Sequence, residues 1–170
     1  MADVAKEAGV SRQAVYLHFP SRAELLVATT RHIDEVEDVA GMISSVRAQP
    51  SGRAQLEKFV QVWGNYIPTI YGGAKRLLAI RETDADANAA WQDRMTGLHG
   101  LCADVVASLA ADGDLSSDLT TVEATDVMWT VASVRHWELL RIERGMSQAR
   151  YLELTHRTLI HVLTQGPLGG

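Results

Sequence analysis

The sequence predicts an all-α protein, and three observations carry that reading. Apolar residues recur at helical spacing from end to end, period-2 alternation of β-branched and aromatic residues is nearly absent, and only four prolines interrupt 170 residues. The hydrophobic fraction of 46% and charged fraction of 22% are those of a globular chain. A single cysteine, Cys102, excludes an internal disulfide framework and makes the reducing cytoplasm the expected location. No apolar run approaches the roughly 20 residues of a membrane span, and no basic stretch followed by an apolar one marks a signal peptide. A net charge of -5 excludes a surface coated in basic charge.

Eight helices are expected in order. The first runs Ala2 to Ala8 and stops at Gly9, and the second runs Arg12 to Leu17 behind an N-cap at Ser11. After Pro20, the Ser21 and Glu24 pair reads as a capping box opening a helix that continues to about Val46. Beyond Pro50 and Gly52 a helix carries Leu56, Phe59, Val60, Trp63 and Ile67, is disturbed by Pro68 and ends near Gly72 and Gly73. A short helix spans Leu77 to Ile80. Asp84 and Asp86 then favour the start of a long helix through Trp91, Met95, Leu98, Cys102, Val105 and Leu109. Residues 111–118 are loop by composition. Thr120 with Glu123 is a second capping box, opening a helix to about Ile142. Gly145 is its expected C′ residue, Ser147 caps the last helix, and Gly166 with Pro167 ends that one.

The first 26 residues hold the sharpest functional signal. Val4, Ala5 and Ala8 form an apolar stripe on which small alanines permit close helix approach, Gly9 supplies the positive φ of a sharp turn, and Val10 is placed to fill the angle. This is the form of a helix-turn-helix, whose second helix enters the major groove by its N-terminal residues. Arg12 and Gln13 are the first exposed side chains there, and both can bond bidentately with base edges.

The turn alone also opens LacI-type repressors. Here it continues as Ala14-Val-Tyr-Leu-His-Phe-Pro-Ser-Arg22 and then Glu24-Leu-Leu26, which resembles the TetR family of transcriptional regulators, with Tyr-x-His-Phe closing the recognition helix. A length of 170 also fits that family better than a LacI-like chain with a large sugar-binding domain. Weaker likeness continues at residues 79–84, 91–95, 129–133 and 139–145 and at Tyr151. The resemblance implies a helix-turn-helix DNA-binding domain over residues 1–32 and a helical effector-binding and dimerisation domain over 33–170. It implies that Ser11 caps the recognition helix, that Arg12 and Gln13 read bases, and that Ala14 reaches a thymine methyl. Tyr16, His18 and Arg22 are implied as phosphate contacts, with Val15 and Phe19 as the small core beneath. TetR-like proteins place a further helix before the one that begins here near Ala2. The DNA-binding domain is therefore expected to be incomplete at its N-terminus, with Val4, Ala8, Leu25 and Ala28 uncovered.

In a TetR-like chain the central helices surround an effector cavity. The candidates are Trp63, Tyr66, Ile67, Ile70, Trp91, Met95, Leu98, His99, Cys102, Met128 and Trp129, although each taken alone fits an ordinary core position as well. Asn65, Gln92 and His99 are the polar groups that could orient a small apolar effector. Two closing helices from each subunit suit a four-helix dimer interface, with Val127, Val131, Val134, Trp137, Leu152, Leu159 and Leu163 as candidates beside a purely intramolecular role. A homodimer presents two reading heads about 34–36 Å apart to a palindromic double-stranded DNA operator.

No enzyme is expected. His99 and Cys102 lie one turn apart without further ligands at metal-binding spacing, His156 and His161 share a face poorly, and no nucleophile elbow or phosphate-binding glycine loop is present. No cofactor or metal is expected. The reading is a ligand-responsive regulator, a repressor released from its operator by a small molecule. The alternatives are a TetR-like ligand-binding or dimeric interaction protein without DNA binding and, more remotely, a helical enzyme built on the same cavity. Charge divides accordingly, with +1 over residues 1–32 and -6 over residues 33–170.

Overall fold

A computed structural model describes residues 1–164. Among them are nine α-helices: α1 (Ala2–Glu7), α2 (Arg12–His18), α3 (Arg22–Val36), α4 (Val39–Arg47), α5 (Gly52–Ile80), α6 (Ala85–Ala111), α7 (Thr121–Val131), α8 (Val134–Glu138) and α9 (Gln148–Leu163). A π-helical turn, Leu139–Glu143, extends α8. The only β-type pairing among the described residues is an isolated antiparallel bridge between Leu115 and Thr164. The fold is all-α, as the apolar spacing predicts.

Helix starts fall where side-chain caps stand. Ser11, Ser21, Asp84, Thr120 and Ser147 each accept a backbone N–H in the first turn of α2, α3, α6, α7 and α9. Thr120 and Glu123 close the full reciprocal box, while at Ser21 the structure holds its first half, Glu24 N–H to Ser21 Oγ at 3.0 Å. Gly9 and Gly145 both take φ of +66°. Gly166 and Pro167, the expected end of the last helix, lie outside the described residues.

Three boundaries differ from expectation. The helix expected from Arg22 to Val46 is two helices, because Asp38 adopts φ of +49° and its carboxylate turns to cap α4 by accepting the Gly41 N–H at 3.1 Å. A short side chain that bonds its own backbone makes that left-handed residue tolerable. Conversely, α5 is unbroken through Pro68, Gly72 and Gly73 and absorbs the separate short helix expected at Leu77. Proline at position 68 cannot donate to the Gly64 carbonyl one turn earlier, and Gln148 Nε2 on α9 donates to that oxygen at 2.8 Å instead. The helix expected from Thr121 to Ile142 breaks at Ala132, where Ser133 accepts the His136 N–H to start α8 and the Ala132 carbonyl takes a 2.7 Å bond from Trp63 Nε1.

Helices α4 to α9 form the body around two adjoining apolar clusters. One gathers Val46, Leu56, Phe59, Val105, Leu109, Met128, Leu159 and Leu163; the other gathers Ile67, Leu77, Ala87, Trp91, Trp137 and Tyr151, with Ala23 of α3. Trp63, Met95 and Leu152 border both. The start of α5 abuts the end of α6, where the Gly52 N–H donates to Asp112 Oδ2 at 2.7 Å and Arg53 pairs with Asp114 at 2.9 Å. By contrast, α1 packs chiefly on α2, and α3 joins this pair to the body through α4, α5 and α6. Helix α3 also runs without a break across residue 32.

One buried carboxylate ties α5 to α8. Glu138 accepts from Tyr71 Oη at 2.6 Å, Lys75 Nζ at 2.9 Å and Arg135 Nη1, and these donors draw its pKa down from 4.5 to about 2. The unfolded chain protonates this group first, so the cluster stabilises the fold fully above pH 4.5 and loses that contribution as pH falls toward 2. Glu138→Gln is therefore expected to lower the melting temperature more at pH 7 than at pH 2.5. An equal loss at both pH values excludes the ionised carboxylate as the source.

Candidate nucleic-acid interface and internal cavity

The N-terminal pair has the geometry of a helix-turn-helix. Gly9 turns the chain, the Ala14 N–H donates to Ser11 Oγ at 3.0 Å, and Ala5 and Val15 are buried between the helices. Val10, expected to fill the angle, is instead 49% exposed. Its N–H bonds the Ala5 carbonyl, and this holds the turn while the side chain faces water. Ser11, Arg12, Gln13, Tyr16, His18 and Arg22 are exposed, and Ala14 is half-buried. Arg12 lies over the Tyr16 ring, with its guanidinium carbon 5.5 Å from the centroid and Nη2 3.5 Å from the hydroxyl. These two exposed side chains therefore form one i,i+4 pair on the outer face of α2. Phe19 is half-buried beside His18, while Val4 and Ala8 are exposed and Leu25 and Ala28 half-buried. A groove edged by His18, Phe19 and Arg31 on one side and Asp86, Ala89 and Arg94 on the other separates the head from the start of α6.

Inside the body, α3, α4, α5 and α6 enclose a mostly apolar cavity of about 290 Å³. Of the sequence candidates, Trp63, Tyr66, Ile70, Trp91, Met95 and Leu98 line it. Ile67, Cys102 and Met128 are buried in the packed clusters away from its wall. His99 sits at the surface of α6, 3.2 Å from Asp126 and edge-on to Trp129. Asn65 and Gln92 are exposed. Burial pushes the Cys102 thiol up to about 12, so it stays protonated and acts as a small apolar group. Among the described residues no group of three or more His, Cys, Asp or Glu side chains is placed to hold a metal ion.

The cavity also has a polar element that the apolar pattern did not point to. Asp34 of α3 accepts from Tyr66 Oη at one carboxylate oxygen and from Arg94 Nη2 at the other, the latter at 2.8 Å. Burial and the neighbouring Asp34 carboxylate raise the Tyr66 pKa, which keeps the hydroxyl a donor. A signal for Arg94 was present in the sequence. It follows Trp91 by three residues and precedes Leu98 by four, so it interrupts a buried stripe.

The candidate interface residues divide in a similar way. Val134, Trp137, Leu159 and Leu163 are buried within the monomer, and Val127, Val131 and Leu152 are half-buried against its core. On the outer surfaces of α7 and α9 the exposed apolar side chains are Val122 and Val162, at 68% and 38%.

Residues 1–29 match the family model described as bacterial regulatory proteins, tetR family. The match covers the first two helices and the start of the third. The fold of the chain is similar to that of a Rhodococcus sp. protein assigned to the TetR-family transcriptional regulators, with a TM-score of 0.70 at 18% identity, over 96% of this chain and 86% of the other. A member of the TetR transcriptional regulator family from Streptomyces coelicolor A3 gives a TM-score of 0.66 at 21% identity, over 96% and 81%. No curated protein sequence matches the chain. In this structure the helix-turn-helix segment and the cavity share α3. Arg22 stands in its first turn, and Asp34, 12 residues and roughly 18 Å further along the axis, stands at the cavity wall.

Proposed function

We propose that this chain is a ligand-responsive, DNA-binding transcriptional regulator, a repressor released from a palindromic operator when a small apolar molecule enters the cavity between α3 and α6. The observation that carries the reading is the sharing of α3: its first turn joins the exposed head, and its third and fourth turns hold Thr30 and Asp34 at the cavity wall. Occupancy that favours one setting of α3 against α5 and α6 would bias the tilt of the head by the same free energy. Arg12 and Gln13 would read bases, Ala14 would meet a thymine methyl, and Tyr16, His18 and Arg22 would hold phosphates. In free protein Arg12 rests on Tyr16, so binding would exchange that exposed contact for DNA.

The functional unit would be a homodimer, with residues 1–32 as DNA-binding domain and 33–170 as effector-binding and dimerisation domain. Support for the outer faces of α7 and α9 as the two-fold contact comes from exposed Val122 and Val162, because four of the seven sequence candidates are already buried in the monomer. No helix among the described residues is long and apolar enough to cross a membrane. That accords with the cytoplasmic setting such a regulator would need. No catalytic role is proposed.

Selection of random duplexes by the chain tests the reading. The expected result is enrichment of a palindrome bound by two chains. Gln13→Ala is then expected to relax sequence preference at one position of each half-site, at a cost of about 1–3 kcal/mol. His18→Ala is expected to weaken all duplexes alike and to flatten the salt dependence. Failure of any duplex to enrich excludes DNA binding and leaves the ligand-binding alternative.

A further inference from the structure

We propose that the cavity selects an apolar molecule bearing one uncharged acceptor oxygen, a ketone or ester carbonyl, and that the spare Nε–H of Arg94 is the group that recognises it. The inference rests on the ligand-responsive reading above and assigns the chemical class of the ligand.

Six polar side chains border the cavity, of which Asp93 is exposed to solvent and Trp63 donates its Nε1–H to the Ala132 carbonyl at 2.7 Å. The Thr30 hydroxyl donates to the Leu26 carbonyl of its own helix at 2.6 Å. The Tyr66 hydroxyl is committed to Asp34. Asp34 has both oxygens occupied, one by Tyr66 and one by Arg94. Arg94 is different. A guanidinium carries five N–H donors, and here Nη2 reaches Asp34 at 2.8 Å and Nη1 reaches the Ala90 carbonyl of its own helix at 3.3 Å. Its Nε–H has no partner and is covered from the cavity as well as from solvent, so a ligand reaches it once the guanidinium turns. Buried donors without acceptors are rare, because each loses its hydrogen bonds to water and gains none in return.

Charge narrows the acceptor. The Arg94 cation is already balanced by Asp34 at 2.8 Å, so the pair is neutral as it stands. A second anion would leave one carboxylate without a counter-charge in an otherwise apolar chamber, whereas a carbonyl oxygen satisfies Nε–H and adds no charge. A cation would face Arg94 directly. The rest of the lining, led by Trp63, Ile70, Trp91, Met95 and Leu98, accepts a hydrocarbon body.

The same group explains how occupancy reaches the head. Arg94 borders both the cavity and the groove facing His18 and Phe19, and its tie to Asp34 crosses from α6 to α3. A carbonyl drawn to Nε–H turns the guanidinium toward the cavity and changes that tie, which gives the ligand unequal affinity for two settings of α3.

The test uses four probes with similar tails: decane, 2-decanone, decanoate and decylamine. Binding to the intact chain is followed through tryptophan fluorescence, because Trp63 and Trp91 line the cavity. The expected result is that 2-decanone binds about tenfold or more tightly than decanoate and decylamine, with decane reporting the tail alone. Arg94→Lys retains a cation for Asp34 and removes Nε–H. It is expected to bind decane as before and to lose the preference for the ketone, while Tyr66→Phe keeps that preference. Circular dichroism establishes that each variant is folded, and Arg94→Met with Asp34→Asn replaces the lysine variant if that one is not. A ketone preference that survives loss of Nε–H, or that disappears with the Tyr66 hydroxyl, overturns the assignment. Tightest binding of decanoate overturns it as well. Duplex release is read separately: ketone selectivity in a chain that binds no duplex overturns the regulator reading alone, and duplex binding with no ketone selectivity overturns this inference alone.

Discussion

Gly52→Val is expected to cost about 3–5 kcal/mol, enough to unfold a large fraction of a marginally stable domain. Gly52 is the first residue of α5, and a Cβ there would lie 2.6 Å from Leu109 Cα and 2.8 Å from the Ser108 carbonyl carbon. Those are backbone atoms of α6, so no side-chain rotation relieves the clash. Nor can the two helices easily separate, since the Gly52 N–H bond to Asp112 and the Arg53–Asp114 pair hold them together above buried Leu56 and Leu109. Gly100→Ala is the matched control: an added Cβ meets nothing within 4 Å, and the helix interior should gain up to about 1 kcal/mol. Urea denaturation of both variants against the parent checks the pair, and a Gly52→Val midpoint at the parent value would show that the two helix ends are not in close contact in solution.

Gln148→Ala is expected to destabilise by about 2–4 kcal/mol, more than most side-chain truncations at a partly exposed position. Its amide nitrogen serves the Gly64 carbonyl that Pro68 cannot, and its oxygen accepts from Arg141 Nε at 3.0 Å and Trp137 Nε1 at 3.4 Å. Gly64 is buried, because a side chain there would run into Leu152 and Tyr151 of α9, so water does not readily replace the lost donor. Restoring an N–H at position 68 supplies the missing partner within α5. Pro68→Ala should therefore rescue part of the Gln148→Ala loss, and the two changes should be strongly non-additive in a double-mutant cycle. Strict additivity would remove Gln148 from the account of why α5 is continuous.

That example marks the limit of what the sequence discloses. Local chemistry was legible: Ser11, Ser21, Thr120 and Ser147 cap the helices they were expected to cap, and the head's turn closes at Gly9 with φ of +66°. The break at Asp38 was local too, but an aspartate at helical spacing gives no sign that its φ is positive until Gly41 is seen to leave room for its carboxylate. Continuity through Pro68 was not local at all, because the donor that permits it lies 84 residues away from Gly64 in sequence. The cavity shows the same division. Six of its lining residues follow from aromatic and aliphatic periodicity, whereas Asp34 and Arg94 required knowing that α3 crosses α6. His99 was expected there as a polar residue interleaved with the apolar ones, and it lies at the surface of α6 beside Asp126.

The unbroken course of α3 bears on how such proteins exchange their parts. A chimera that takes its head from a relative is naturally cut where a domain boundary is drawn, near residue 32, yet a junction there falls inside α3. It would replace Ala23, Leu26 and Thr30, which pack toward the body, while keeping Asp34, which pairs with Arg94. The grafted helix would then arrive with a foreign face against α5 and α6. A crossover at Pro20 and Ser21 instead transfers α1 and α2 whole and leaves the Ser21 cap and every cavity contact of α3 with the body that matches them. On the proposed reading, DNA specificity would then be exchanged by grafting up to residue 20, and the helices that line the cavity would stay together.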